Sequence, residues 1–342
     1  MSGVTLTDHV WRTELDDHIS CIAPAPSGEV VAIGSMSGQV VVVDAVTGAL
    51  RSRLDEHAGG TLALAWSPDG SKLATGGQDG MVRMFTSDGQ RCAEHHLGAW
   101  VAHLAWSKAH GLAAAAGRSC TLIDAEGGRV HTFPAASSTI TAVVWAPNAT
   151  RLGTASYGGV TWFDCDRLPV DTAARRFDFR GSPLSLLLSP DGRWACAGYQ
   201  DASIHIWPLW SGDDLAMSGY PAKIEHLGFR SDGHWMASAC LEELTVWDFS
   251  GKGPKGRRPA AGLDHEGRIT WLGWQPGGTM LATGGQDGAL VLWPSPSSTR
   301  KPLEPLTVLQ GSSPVAYGAW LPDGSALLTG RHNGTVELRR VG

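Results

Sequence analysis

The chain has 342 residues, of which 42% are hydrophobic and 18% are charged, and its formal net charge is −6. This length can bury a large core, and no apolar run approaches the ~18 residues that suggest a membrane-spanning helix. The negative charge disfavours a nucleic-acid-binding face across the whole chain. The first residues lack the basic flank and apolar segment of a secretory signal, so we expect a cytoplasmic protein without a membrane partner.

A short segment that recurs is the first sign of internal repetition. The sequence LATGGQDG occupies residues 73–80 and again residues 281–288. Around each copy, three strand-like segments of alternating apolar and small or polar residues are separated by turns such as SPDG and PGG. The pattern recurs eight times with a period of about 41 residues. In chain order the units lie at 19–44, 62–85, 103–124, 142–164, 184–207, 224–248, 269–293 and 315–339.

A fourth, more polar strand is predicted between successive units. The clearest candidates are residues 49–57, 128–134, 173–179 and 305–310. Four strands in about 41 residues are typical of a propeller blade. The sequence therefore predicts an all-β, eight-bladed β-propeller of four-stranded antiparallel blades, with seven blades as the alternative.

The two ends of the chain predict how the ring closes. The eighth unit ends after its third strand, and residues 9–15 form a spare strand before the first unit. Because open sheet edges are a liability, we expect residues 9–15 to complete the last blade. We expect one domain over 1–342, with repeats near 18–55, 57–97, 100–134, 138–179, 182–220, 222–260, 265–310 and 313–342.

The third strands end in a recognisable pair of residues. The sixth unit has Trp247-Asp248, and related pairs occur at Val43-Asp44, Ile123-Asp124 and Phe163-Asp164. These units resemble WD40 repeats. The resemblance implies a buried hydrogen-bond relay. In this relay an Asp in a turn accepts a hydrogen bond from a His, and a Ser or Thr together with a Trp continues the series of hydrogen bonds. The matching residues are His57, Thr75 and Asp79 in the second unit, and His265, Thr283, Asp287 and Trp293 in the seventh.

Units 3, 4 and 6 are one residue shorter in this stretch, and we expect their blades to depend more on apolar packing. A periodic aromatic residue at the end of the first strand is expected to pack between blades. It is tryptophan at positions 66, 106, 145, 274 and 320. The six cysteines form no CxxC pair, and we expect all of them to be buried free thiols, as in a reducing compartment.

One segment matches a nucleotide-binding motif by its letters alone. GKGPKG at 251–256 fits GxGxxG, but Pro259 and Gly262 oppose the helix that the motif requires. We interpret 251–258 as a basic surface loop that offers a contact for an acidic partner, through Lys252, Lys255, Arg257 and Arg258. The sequence contains no GxxxxGK[ST], HExxH or GxSxG motif. We therefore predict no catalytic residue, no cofactor and no metal.

The WD40 resemblance implies a non-catalytic interaction scaffold for one or more proteins. We expect a monomer, and the net charge disfavours nucleic acid as a partner. Family members typically bind through the face that carries the loops before the first strand and the turns beside the relay Asp. The corresponding positions are Trp100, Thr139, Lys223, Arg268, Gln78, Gln200 and Gln286. Trp100 and Arg268 are the strongest candidates, since exposed aromatic residues and arginine are enriched at interface hot spots.

The alternative is a propeller enzyme or a metal-handling accessory that uses the mouth of the central channel. The inner-strand residues that would project toward a channel are His103, His226, Trp271 and Tyr317. Glu225 is the only clear acidic residue at such positions. Two imidazoles from separate blades supply too few ligands for zinc, so this alternative ranks second.

Overall fold

The computed structural model describes residue 6, residues 9–209, residue 211 and residues 214–342. Over these residues, 32 strands form eight four-stranded sheets. Consecutive strands pair antiparallel, and the helical structure of the described residues is a single 3-10 turn at Cys165–Arg167. The predicted eight-bladed β-propeller is thereby confirmed over the seven-bladed alternative.

The chain clusters into two compact units, of which the first spans Ser20–Leu186 and contains blades 1 to 4. Blade 1 comprises β2 (Ile19–Pro24), β3 (Val30–Ser35), β4 (Val40–Asp44) and β5 (Leu50–Arg53). Blade 2 comprises β6 (Thr61–Trp66), β7 (Lys72–Gly77), β8 (Met81–Thr86) and β9 (Arg91–His96). Blade 3 comprises β10 (Val101–Ser107), β11 (Gly111–Ala116), β12 (Ser119–Ile123) and β13 (Arg129–Thr132). Blade 4 comprises β14 (Ala142–Trp145), β15 (Arg151–Ser156), β16 (Gly159–Asp164) and β17 (Arg175–Asp178).

The second unit combines Met1–Ile19 with Leu187–Gly342 and contains blades 5 to 8. Blade 5 comprises β18 (Leu187–Leu188), β19 (Trp194–Gly198), β20 (Ile204–Pro208) and β21 (Leu215–Met217). Blade 6 comprises β22 (His226–Phe229), β23 (Trp235–Cys240), β24 (Glu243–Asp248) and β25 (Ala260–Gly262). Blade 7 comprises β26 (Ile269–Trp274), β27 (Met280–Gly285), β28 (Ala289–Pro294) and β29 (Thr307–Gln310). Blade 8 comprises β30 (Val315–Trp320), β31 (Ala326–Arg331), β32 (Thr335–Arg340) and the N-terminal β1 (Trp11–Glu14).

The N-terminal strand completes the last blade, as the sequence predicted. β1 pairs antiparallel with β32 in a register that sets Trp11 opposite Leu338 and Glu14 opposite Thr335. Trp11 and Leu15 are buried, with exposed fractions of 6% and 7%. The strand therefore caps an otherwise open sheet edge and adds apolar side chains to the blade.

Small residues in the second strands let neighbouring blades approach closely. All six residues of β11, GLAAAA, are buried. A Cβ atom added at Gly76 of blade 2 would lie 2.7 Å from Val101 of blade 3, and one added at Gly284 of blade 7 would lie 2.4 Å from Val315 of blade 8. Side chains of the next blade therefore occupy the space that larger residues here would need.

The periodic tryptophans link successive blades, and their predicted packing between blades is confirmed. Each indole Nε1–H donates to a backbone carbonyl in the first strand of the preceding blade, at 2.9–3.1 Å. The pairs are Trp66 with Ala23, Trp106 with Ala65, Trp145 with Ala105, Trp274 with Gly228 and Trp320 with Gly273. Each aromatic ring therefore brings a directional contact as well as buried apolar area.

Five of the six cysteines are buried, but the prediction was wrong for Cys92, which is exposed. Cys92 lies on β9, an outer strand with one side toward solvent. Burial raises the pKa of the Cys21 thiol to about 12, which makes this thiol unreactive at neutral pH.

Candidate functional site

The predicted relay of blade 7 is present and complete. His265 Nε2 lies 2.8 Å from the Thr283 hydroxyl, and its Nδ1 lies 3.1 Å from an Asp287 carboxylate oxygen. The Trp293 indole N–H donates to the same Thr283 oxygen at 2.8 Å. Thr283 thus joins two buried polar groups that would otherwise lack a partner, which is the role of a structural network.

Blade 2 builds the same relay with a different last member. His57 lies 2.8 Å from both Asp79 and the Thr75 hydroxyl. Phe85 stands where blade 7 has its tryptophan, and a phenyl ring cannot donate. Arg83, which the sequence analysis missed, instead donates to Asp79 at 3.0 Å. The duplicated segment of the sequence is therefore the best-preserved copy of a stabilising network.

Blade 6, which was expected to depend more on apolar packing, also contains a polar relay. The Tyr220 hydroxyl lies 3.1 Å from the Ser238 hydroxyl, and the Trp247 indole N–H donates to it at 2.8 Å. The hydroxyls of Ser238 and Thr245 lie 2.6 Å apart. Tyr220 precedes Ser238 by 18 residues, the separation that joins histidine to threonine in blades 2 and 7. The same spacing of 18 residues could have predicted this relay from the sequence. A pattern that requires histidine at the first position could not.

The pKa values of the relay carboxylates and imidazoles are shifted in directions that suit a structural role. Burial lowers the pKa of His57 and of His265. Burial would raise the pKa of Asp79 and Asp287, but hydrogen bonds from the imidazoles and from backbone N–H groups hold both below the usual range. At neutral pH the relays thus pair an aspartate anion with a neutral imidazole.

A groove at one end of blades 2 and 3 collects three of the predicted interaction residues. It has a volume of about 540 Å³ and is lined by Gln78, Trp100 and Thr139, together with His96. Trp100 is 62% exposed. Gly98 borders the groove with φ of +81°, a backbone conformation that favours glycine. The result is a concave surface with a large exposed aromatic side chain on its rim.

Tyr157 is a second exposed aromatic residue at this end of the unit. It follows β15 at the position that Gln78 holds after β7, and it is 47% exposed. Its backbone is fixed by hydrogen bonds with Ser137 and Ser138, at 2.7 and 2.8 Å. Tyr157 was not predicted from the sequence, although it directly follows its strand as Gln78 and Gln286 follow theirs.

The remaining interaction candidates lie in the second unit. Arg268 and Lys223 each form an ion pair of 2.7 Å with Glu225. The backbone N–H of Gln286 donates to the Arg268 carbonyl at 2.8 Å, which joins these two candidates. Gln200 is exposed at the turn after β19. The structure thus forms a group around Glu225 with one more cation than anion.

A larger cavity of about 600 Å³ lies at the opposite end of the strands, among blades 2 to 4. Its polar side chains are largely paired within the protein: Lys72 Nζ donates to the Ala125 carbonyl, and His110 Nε2 lies 3.0 Å from Asp166. It contains none of the predicted interaction residues. We therefore regard the Trp100 groove as the better site, although it is slightly smaller.

The channel candidates give little support to a catalytic centre. Trp271 lies over Gly318, where an added Cβ would come within 2.6 Å of the indole ring, so its ring packs between blades 7 and 8. Tyr317 and His226 are half-buried, and burial lowers the pKa of His226. Among the described residues no group of three or more His, Cys, Asp or Glu side chains is placed to hold a metal ion.

His103 predicts a measurable pH dependence of stability. Burial lowers its pKa to about 4, whereas a histidine in an unfolded chain titrates near 6.5. Between these values the unfolded chain binds the additional proton, so stability falls as the pH falls. From pH 6.5 to pH 5 the wild type should lose roughly 1.5 kcal/mol more than His103→Gln in urea unfolding. Parallel losses in the two proteins would contradict this assignment.

No helix among the described residues is long and apolar enough to cross a membrane.

Comparison with protein families identifies the repeats. The family model described as "WD domain, G-beta repeat" matches residues 5–44, 48–86, 177–208 and 259–294. The crystal structure of Sqt1 from Chaetomium thermophilum is similar over 99% of this chain and 100% of that one, with a TM-score of 0.84 and 20% identity. The computationally designed Ika8 protein is similar over 96% of this chain and 97% of its own, with a TM-score of 0.78 and 18% identity. These likenesses establish the fold.

Curated relatives match shorter segments. The pre-rRNA-processing protein IPI3 of Mycosarcoma maydis is 35% identical over 83 residues, which is 24% of this chain and 14% of that protein. Actin-interacting protein 1-2 of Arabidopsis thaliana is 32% identical over 123 residues, which is 34% of this chain and 20% of that protein. The matched segments thus span one fifth or less of these relatives.

Proposed function

Because this chain belongs to the WD40-repeat β-propeller family, we propose that it is a non-catalytic scaffold that binds a protein partner. The proposed contact surface is the end of the blades that carries the loops before the first strands and the turns beside the relay Asp. One similar protein is named for its interaction with actin, which supports a protein as the class of ligand.

The Trp100 groove is the observation that carries the proposal. Gln78, Trp100 and Thr139 come from different loops of the sequence and line one concave surface of about 540 Å³. A tryptophan that is 62% exposed offers a large apolar area to a partner, and such anchors dominate the binding energy of many interfaces. The surrounding amide, hydroxyl and imidazole groups can hydrogen-bond to a peptide backbone.

The group around Glu225 provides a second contact in this proposal. Lys223 and Arg268 already form ion pairs with Glu225, so their side chains are partly held in place. Arginine that is preorganised in this way loses less side-chain entropy when it meets a carboxylate of a partner.

The compartment proposed is the cytoplasm. All six cysteines are free thiols, and five of them are buried. Disulfide bonds are rare in reducing compartments, so this arrangement supports an intracellular location.

Trp100→Ala is the variant that tests the proposal. We expect partner capture from cell extract to fall at least tenfold, because truncation of a hot-spot tryptophan typically costs 2 kcal/mol or more, about 30-fold in affinity. Arg268→Ala should weaken capture less, since an ion pair between a surface arginine and a partner carboxylate contributes roughly 0–1 kcal/mol. The bound protein is identified by mass spectrometry, and its affinity for each purified variant is then measured by calorimetry.

Leu263→Ala is the matched control, because Leu263 is 68% exposed and lies outside the groove. Thermal melts should show that all three variants fold like the wild type. Undiminished affinity in both Trp100→Ala and Arg268→Ala would move the interaction to another surface.

A further inference from the structure

Two loops of the second unit carry unpaired positive charge in a chain whose net charge is −6. The loop from β24 to β25 presents Lys252, Lys255 and Arg258, all exposed. The loop from β28 to β29 presents Arg300 and Lys301, also exposed. None of these five side chains forms an ion pair within the part of the chain that the structure describes. We call this set of five residues the basic ridge.

Packing brings the two loops together, although they belong to different blades. The backbone N–H of Leu303 donates to the carbonyl of Ala261 at 2.7 Å, which ties the end of the second loop to the outer strand β25. Leu303 and Ala260 are buried in the same apolar cluster. Arg258 and Lys301 therefore lie within three residues, along the chain, of the hydrogen bond between Leu303 and Ala261.

The first loop is held in one conformation by its own contacts. Arg257 forms an ion pair with Asp248 and donates to the Ser250 hydroxyl at 3.0 Å. Arg193 of the neighbouring blade donates to the Gly251 carbonyl at 2.5 Å. Gly253 lies against the Trp194 ring, where an added Cβ would come within 2.6 Å. Arg257 thus stabilises the loop, whereas Lys252, Lys255 and Arg258 are exposed to solvent on a backbone that these contacts hold in place.

We propose that the basic ridge binds an acidic segment of a protein partner. Five cations on two anchored loops complement a run of Asp and Glu side chains, and preorganisation reduces the entropy lost on binding. A protein segment fits better than nucleic acid, because none of the ridge residues is aromatic and the whole chain is negative. The ridge and the Trp100 groove share no residue, so either can fail without the other.

A labelled decaglutamate peptide is the probe that tests the ridge. Fluorescence anisotropy with the full-length wild type at 50 mM salt should show binding, and binding should be lost at 300 mM salt because exposed charges are screened. In the triple variant Lys252→Gln/Lys255→Gln/Arg258→Gln the Kd should rise about tenfold. In Arg300→Gln/Lys301→Gln it should rise by a smaller factor.

The control removes the same number of exposed cations elsewhere, in the variant Arg53→Gln/Lys108→Gln/Arg180→Gln. These three side chains lie in the first unit and form no ion pair among the described residues. The Kd for decaglutamate should change by less than about twofold, and all variants should keep the wild-type melting temperature.

Three outcomes would overturn the proposal. The first is no binding of decaglutamate at low salt. The second is an equal loss of affinity in the ridge and control variants, which would indicate attraction by overall charge. The third is tighter binding of a ten-nucleotide oligothymidylate than of decaglutamate at the same residues, which would assign the ridge to nucleic acid.

Discussion

Deletion of residues 1–16 is expected to lower the free energy of unfolding by more than about 5 kcal/mol. The deletion removes the buried side chains of Trp11 and Leu15, and truncation of buried tryptophan and leucine to alanine alone costs about 3–5 and 2–5 kcal/mol. It also removes the ladder between β1 and β32 and leaves an open edge that promotes aggregation. Urea unfolding and light scattering measure the two effects.

Two further variants of this chain serve as controls for the deletion. Deletion of residues 1–5 retains Leu6 and all of β1, and it should unfold near the wild-type midpoint. Trp11→Ala should account for about half or more of the loss in the long deletion. An unchanged midpoint after deletion of 1–16 would show that closure by β1 contributes nothing to stability.

Thr283→Val is expected to destabilise the protein by about 3 kcal/mol, although valine has nearly the same shape as threonine. The hydroxyl contacts His265 Nε2 and accepts from the Trp293 indole N–H, both at 2.8 Å. Its removal leaves two buried polar groups without a partner, and each costs about 1–3 kcal/mol. Chemical denaturation of the purified variant measures the change.

Blade 2 supplies the matched control for this prediction. Thr75 contacts His57 at 2.8 Å, but its blade has Phe85 where blade 7 has an indole. Thr75→Val therefore leaves one group unpaired, and we expect about half the cost of Thr283→Val. Equal losses in the two variants would show that the indole N–H does not contribute through this contact.

The architecture was predictable because the same strand and turn pattern recurs eight times in the sequence. A strand pattern that recurs about every 41–46 residues, with a turn glycine in most units, specifies a blade. The unused strand before the first unit indicated how the last blade is completed. The relays of blades 2 and 7 were predictable from the resemblance to WD40 repeats. Their histidine and threonine stand 18 residues apart in both, so residue type and spacing agreed.

The blade 6 relay escaped prediction because a different residue type performs the same task. Tyr220 reaches the position of the histidine with a hydroxyl group, and Ser238 and Thr245 complete the network. Hydrogen bonding requires donors and acceptors at the right distance, and several side chains meet that requirement. Arg83 of blade 2 is a second example, since it enters the relay from the third strand.

The surfaces could be predicted only in part. The sequence indicated Gln78, Trp100 and Thr139 as loop residues, but their common groove depends on how two blades pack. The sequence also indicated a basic loop at 251–258 and gave no sign that Arg300 and Lys301 lie beside it. That proximity follows from the contact of Leu303 with Ala261, which joins segments from different repeats.

The five indole N–H groups that bond to the preceding blade provide a separate spectroscopic reporter for each of five junctions between blades. In a ¹⁵N-labelled sample every indole proton is observed separately, and a proton in such a bond exchanges with deuterium only after the junction opens. The exchange of Trp66, Trp106 and Trp145 would follow the junctions of blades 1 to 4. Trp274 and Trp320 would follow those of blades 6 to 8. The order in which these signals decay would therefore rank the junctions by local stability without a single substitution.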